Sequence, residues 1–201
     1  MSFSAMGLAT AVLKGIASSG LTTPTEIQRK AIPPVVHGMD IIGCAPTGTG
    51  KTAAFVLPML SILHTHQNRS RNGRPPMCLI LTPTREIAQQ IDDAIKGFGK
   101  HTNLQSMAIY GGTGLNTQLA TLKKGIDIIT ATPGRLMDHM KRKSVDLSHI
   151  SILILDEADR MFDMGFLPDV RRIVKQLPAK RQTLMFSATM PDDIRKLTDE
   201  A

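Results

Sequence analysis

Six short, nearly continuous apolar runs recur along the chain at Ile41 to Cys44, Cys78 to Leu81, Ser106 to Ile109, Asp127 to Ala131, Ile152 to Leu155 and Thr183 to Phe186. Runs of this length without polar alternation predict strands covered on both faces. Between them lie amphipathic stretches with helical spacing, Arg85 to Phe98, Gly134 to Lys141 and Leu167 to Gln176. Strands alternating with helices predict an α/β domain with a mostly parallel central sheet and helices on both faces. Leu8 to Ser18 and Pro24 to Val36 predict two helices ahead of the first strand, so residues 1–38 read as an extension and 39–201 as the sheet domain. His66 to Pro76, with Arg69, Arg71, Arg74 and paired prolines but no periodicity, predicts a mobile surface loop.

Ligands of such sheets gather at the carboxyl ends of the strands. Two candidate motifs fall there. Ala45-Pro46-Thr47-Gly48-Thr49-Gly50-Lys51-Thr52 follows the first run and reads as a Gly-rich turn opening a helix. Such a turn aims backbone N–H groups and a positive helix end at phosphate oxygens. Lys51 adds a mobile charge for the β/γ-phosphates and Thr52 a hydroxyl for Mg²⁺. Ala45 stands where the general P-loop pattern has its first Gly, leaving Gly48 and Gly50 to make the tight turn. The run Ile152 to Leu155 ends in Asp156-Glu157-Ala158-Asp159, which supplies an Asp to a metal and a Glu to water, as phosphoryl transfer requires.

Composition adds a partner class. The 201 residues are 42% hydrophobic and 20% charged, the values of a globular domain of ordinary size or slightly more. A net charge of +7 suits a polyanionic partner. Cys44 and Cys78 each sit in an apolar run and read as small core residues. His64 and His66 do not share a helix face, so no metal site is expected there. No apolar stretch approaches the roughly 20 residues of a membrane span, and Met1-Ser2-Phe3 does not open a signal segment. A soluble, cytoplasmic protein is expected.

With both phosphate-site halves placed, the chain resembles, over essentially its whole length, the N-terminal RecA-like domain of DEAD-box RNA helicases. Gly20-Leu21-Thr22-Thr23-Pro24-Thr25-Glu26-Ile27-Gln28 matches the family's Q motif, with Phe3 as its isolated upstream aromatic. Pro83-Thr84-Arg85-Glu86-Ile87-Ala88 matches motif Ia, Gly111-Gly112 the glycine doublet, Thr132-Pro133-Gly134-Arg135 motif Ib, and Ser187-Ala188-Thr189 motif III. Motif Ia has Ile87 where the family usually has Leu. The family's phosphate loop typically begins with Ala, which accounts for Ala45. The overall wording resembles bacterial RhlE-like members.

The resemblance implies roles that the chemistry of these side chains supports. Gln28, next to Thr25, would pair with adenine through its amide donor and acceptor, and Phe3 would stack on the base. Taken alone, Gln28 reads as a helix-surface glutamine and Phe3 as a packing residue near the terminus. Asp156 would hold Mg²⁺, directly or through water, and Glu157 would position or deprotonate the attacking water. Asp159 would contact Ser187 and Thr189, coupling nucleotide state to the RNA side; a salt-bridge or capping role for Asp159 is the alternative. Pro83, Thr84, Arg85, Gly111, Gly112, Thr132, Pro133, Gly134 and Arg135 would track the RNA sugar-phosphate backbone. Arg85 and Arg135 also fit ordinary helix-start ion pairs. The basic runs Lys141-Arg142-Lys143 and Arg171-Arg172 read as solvated helix faces.

The expectation is therefore the ATP-binding half of an ATP-dependent RNA helicase or RNA-remodelling ATPase, with ATP and Mg²⁺ as cofactors and RNA as partner. The family closes two RecA-like domains around ATP and RNA, so a second domain with its arginine finger is expected beyond this chain. Alone, the chain should bind adenine nucleotide weakly and hydrolyse almost nothing. The rival readings are an RNA-binding scaffold with a vestigial nucleotide pocket and another P-loop enzyme, such as a GTPase or a DNA translocase.

Overall fold

The computed structural model describes residues 2–46, 48–65 and 73–189. In it the apolar runs become six parallel strands, β1 (Ile41–Cys44), β2 (Cys78–Leu81), β3 (Ser106–Ile109), β4 (Ile128–Ala131), β5 (Ile152–Leu155) and β6 (Gln182–Ser187). Their order is β1-β6-β5-β2-β4-β3. The register sets Leu81 opposite both Ala131 and Leu155, and Cys44 opposite Ser187, so the carboxyl ends are level along one rim.

Alternate residues of each strand feed two separate cores, the pattern that a sheet covered on both faces requires. Cys78, Ile80, Ile154, Leu184 and Phe186 face one core, which also holds α1 (Thr10–Ser18), α2 (Glu26–Val36), α3 (Lys51–Thr65) and Ile91 and Ile95 of α4 (Arg85–Phe98). Leu79, Leu81, Leu153, Leu155 and Met185 face the other, beneath α6 (Pro133–Lys141), α7 (Ala158–Asp163) and α8 (Leu167–Val174). The helix α5 (Leu115–Lys123) lies beyond β3 in the chain and was not legible as an amphipathic stretch. Its apolar positions are few, and Gln118 is its buried residue. α3 is buried on nearly every side, because α2 and α4 enclose the face turned from the sheet; this is the apolar-all-round helix of a deep interior. The close approach of β1 to β6 needs Gly43, since a Cβ there would stand 2.7 Å from the Phe186 ring.

Two expectations change. Cys78 is buried, but Cys44 is exposed. The reason is that β1 is an edge strand: Ile41 and Gly43 turn toward the first core, whereas Ile42 and Cys44 face a side that no helix among the described residues covers. Of the expected loop, residues 66–72 lie outside the described residues, while Arg74 is no solvated loop arginine. Its side chain is 8% exposed and pairs with the buried Asp127 carboxylate, which also accepts from the Gln105 N–H at 2.7 Å. No helix among the described residues is long and apolar enough to cross a membrane.

Candidate active site

The strand order divides the carboxyl rim into two halves. β1, β6 and β5 end in the phosphate loop, Ser187-Ala188-Thr189 and Asp156-Glu157; β2, β4 and β3 end in Pro83-Thr84-Arg85, Thr132 to Arg135 and Gly111-Gly112. The boundary is the β5/β2 pair, where the Asp156 N–H donates to the Leu81 carbonyl at 2.9 Å. Residues far apart in sequence thus form two adjacent chemical sites on one rigid edge.

The phosphate loop leaves β1 with the Ala45 N–H bonded to the Ser187 carbonyl at 3.1 Å. Gly48 and Gly50 take φ of 83° and 92°, a region that side chains rarely adopt, and the Thr49 hydroxyl donates to the Pro46 carbonyl at 2.7 Å. Thr47 lies outside the described residues. α3 then begins at Lys51, which is 7% exposed and whose ammonium has no partner among the described protein atoms. Thr52 follows, half-buried.

Asp156 is the complementary orphan. It is 5% exposed, and its Oδ1 is likewise unpaired. Burial pushes the carboxyl up to about 6, with Lys51 opposing and Glu157 reinforcing the shift. A buried cation and a buried carboxylate, both unsatisfied at the start of a helix and the end of a strand, are costly unless a ligand of matching charge completes them. Phosphate oxygens would have the charge to complete Lys51, and a divalent cation the charge to complete Asp156. Among the described residues no three His, Cys, Asp or Glu side chains gather for a metal. Glu157 holds φ 51° and ψ 50°, a left-handed conformation costly for a side chain of its size, and accepts from the Arg160 guanidinium at 3.2 Å.

Gln28 is not a surface glutamine. It is 2% exposed, and its Oε1 accepts from the Thr25 N–H at 2.9 Å while its Nε2 donates to the Gly50 carbonyl at 3.1 Å. The first contact is half of a capping box at the start of α2, spelled in sequence as Thr25-x-x-Gln28. The second ties that helix to the phosphate loop. One N–H and one acceptor lone pair of the amide are left over by these two contacts. Phe3 is 5% exposed in a short 3₁₀ turn (Phe3–Ala5) and packs into the first core, the arrangement that its reading as a packing residue describes. An aromatic side chain so near the terminus has more to gain from burial than from solvent.

Asp159 meets both predicted partners. Its Oδ2 accepts from the Thr189 N–H at 2.8 Å and the Thr189 hydroxyl at 3.0 Å, and its own N–H donates to the Ser187 hydroxyl at 3.2 Å. Burial works against ionisation, but the bonds from Thr189 outweigh it and hold the carboxyl below its ordinary value.

On the other half of the rim, Thr84 caps α4, with its hydroxyl accepting from the Ile87 N–H at 3.4 Å. Arg85 is exposed, pairs with Glu86 at 2.6 Å, and reaches toward Gly112. Arg135, on the first turn of α6, donates to the Thr113 carbonyl at 3.3 Å. Pro83, Thr132, Pro133 and Gly134 sit at the two strand-to-helix turns. Both arginines and both turns therefore converge on the Gly111-Gly112 loop, where Gly112 has φ 87°. The ion-pair reading holds for Arg85, and Arg135 also lies 4.0 Å from Asp138.

Comparison with known proteins decides the family. A model described as "DEAD/DEAH box helicase" matches residues 25–197. The chain belongs to the DEAD/DEAH box helicase family. Among curated relatives, DEAD-box ATP-dependent RNA helicase RhpA of Helicobacter pylori is 45% identical over 199 residues, covering 99% of this chain and 39% of the relative. ATP-dependent RNA helicase CshA of Listeria monocytogenes is 44% identical over 195 residues, covering 97% and 36%. A solved DEAD box protein from Methanococcus jannaschii superposes with a TM-score of 0.90 at 37% identity, over 99% of this chain and 53% of that one. The chain thus spans about two fifths of the length of these curated relatives and about half of the solved one.

For a DEAD/DEAH box chain, the site also contains residues that motif reading passed over. Gln118 and His139 are buried polar residues behind the glycine doublet. Neither lies in a motif quoted from the sequence, and an isolated Gln or His carries no signal until its neighbours are known. Thr25 shows the opposite case, since its capping-box spacing was present in the sequence.

Proposed function

We propose that this chain is the ATP-binding part of an ATP-dependent RNA helicase or RNA-remodelling ATPase. The observation that carries the reading is the pair of buried, unpartnered groups, Lys51 Nζ and Asp156 Oδ1, at the mouth of a glycine-shaped phosphate loop. Lys51, Thr52 and the amides of residues 48–52 bind the phosphates. Asp156 and Thr52 hold Mg²⁺, which, when bound, neutralises charge developing on the phosphoryl oxygens. Glu157 orients the attacking water, and Gln28 selects adenine with its free amide positions. Asp159 transmits the state of the phosphate site to Ser187 and Thr189.

RNA lies along Pro83 to Arg85, Gly111-Gly112 and Thr132 to Arg135, held through sugar and phosphate and without sequence selection. The curated relatives RhpA and CshA, both named as RNA helicases, support that partner. Residues 1–38 serve as the adenine-reading extension of the unit 39–201, a second RecA-like domain completes catalysis, and the protein works in the cytoplasm.

Calorimetric titration of Mg-ADP and Mg-GDP, repeated with Gln28→Ala, tests the pocket. Selective ADP binding that Gln28→Ala erases is the expected result. Equal binding of both nucleotides, or of neither, overturns the adenine assignment and favours an RNA-binding scaffold or another P-loop enzyme.

A further inference from the structure

Behind the glycine doublet lies a buried chain of hydrogen bonds that none of the roles above uses. His139 is 0% exposed on α6, one turn beyond Arg135. Its Nε2 lies 2.8 Å from Gln118 Oε1 and its Nδ1 lies 2.8 Å from the Ser144 hydroxyl. Gln118 Nε2 in turn donates to the Tyr110 carbonyl at 3.1 Å and the Thr113 hydroxyl at 2.8 Å. A carbonyl can only accept, so the Tyr110 contact fixes the orientation of the amide. Oε1 is therefore the acceptor toward His139, and the imidazole carries its proton on Nε2. Arg135 adds a weak contact to the same Oε1 at 3.5 Å.

Tyr110 and Thr113 are the two residues that flank Gly111-Gly112. One amide thus clamps both ends of a loop whose glycines are exposed and, at φ 87° for Gly112, free of side-chain restraint. The same amide is pinned from behind by the helix whose first turn carries Arg135. We infer that Gln118 and His139 are positioning residues that lock the glycine doublet to the start of α6, making two backbone-tracking segments one preorganised RNA face. Neither side chain touches RNA. Their contribution is to hold Gly111, Gly112 and Arg135 in register before the ligand arrives, so that binding need not order them. This inference rests on the RNA reading given above.

The test is fluorescence-anisotropy titration of the protein with labelled oligouridylate, run beside titration with a fluorescent ADP and hydrogen exchange of the 110–113 amides. The variants are Gln118→Ala, His139→Phe, His139→Gln and the double Gln118→Ala/His139→Phe, with Arg85→Ala as the control for the RNA face. Loss of one buried hydrogen bond corresponds to about a fivefold change. RNA affinity should fall by about that factor in Gln118→Ala and His139→Phe, and scarcely further in the double variant, because one clamp is being broken twice. His139→Gln keeps an N–H near Nε2 and should recover most of the affinity. ADP affinity should not move, and exchange over 110–113 should quicken. Unchanged RNA affinity in Gln118→Ala alongside a loss in Arg85→Ala overturns the clamp and leaves the RNA reading standing. No loss in any variant, Arg85→Ala included, overturns both. Should His139→Phe fail to fold, Gln118→Ala and His139→Gln decide the matter alone.

Discussion

The Gln28 amide donates to the carbonyl of Gly50 across 22 residues of chain, so α2 and the phosphate loop are physically joined. A Cβ on Gly50 would stand 2.5 Å from Gln28 Nε2, and the residue holds φ 92°. Gly50→Ala therefore meets both a clash and a strained backbone. It should lower stability by about 1–3 kcal/mol and weaken ADP binding together. Chemical denaturation and nucleotide titration of the same preparation check this. An ADP affinity that survives an unstable Gly50→Ala would show that the two sites are not joined.

Lys51→Met separates function from stability. The ammonium is buried without a hydrogen-bond partner and only its field on Asp156 is lost, so an apolar side chain of similar length should change stability by no more than about 1 kcal/mol. ATP affinity should fall by at least about tenfold, or roughly 1.4 kcal/mol. A thermal melt and an ATP titration read the two effects, and a large drop in melting temperature would contradict the orphaned-charge account.

Asp159 sets the direction of one acid dependence. Its folded carboxyl sits below the ordinary 3.8, because the bonds from Thr189 prevail over burial. The unfolded state then takes up the proton first as pH falls. The stabilisation is complete above the unfolded value and is lost as pH drops through the folded one. Asp159→Asn should cost about 1–2 kcal/mol at pH 7 and progressively less toward pH 3. Urea melts at several pH values measure the gap, and a gap that widens on acidification would reverse the assignment.

The Arg74 and Asp127 pair should be the most sensitive polar contact outside the site. Both side chains are nearly inaccessible, and Asp127 also holds the Gln105 amide at the start of β3. Arg74→Met leaves a buried carboxylate short of its cation and should cost about 3–5 kcal/mol. Denaturant midpoints test it. A cost under 1 kcal/mol would return Arg74 to the solvated loop in which sequence reading placed it.

Much of the architecture was legible because covered strands must be apolar throughout. Cys78 to Leu81 and Ile152 to Leu155 were read with their observed bounds, as was the helix Arg85–Phe98, whose amphipathic face is strong. Cys44 was misread for a reason of the same kind. Its run looks like any other, but whether a strand lies at an edge depends on the sheet order, which no single run contains. The burial of Phe3 was legible from its own apolar chemistry, as the packing reading had it. α5 escaped notice because its interior-facing residue is a glutamine, which has meaning only beside His139 and Tyr110.

By itself the sequence determined all six strands and most of the helices, and where the glycine-rich loop and the Asp156-Glu157 turn follow a strand. Those properties depend on side-chain type and on spacing within a few residues. Only the tertiary structure decided that β5 and β2 are neighbours and so divide the rim into a phosphate-loop half and a glycine-doublet half, that Lys51 Nζ and Asp156 Oδ1 lack hydrogen-bond partners among the described residues, and that Gln118 is fastened between Tyr110, Thr113 and His139. Each of these is a meeting of residues distant in the chain, set by strand order and packing, which local pattern does not encode.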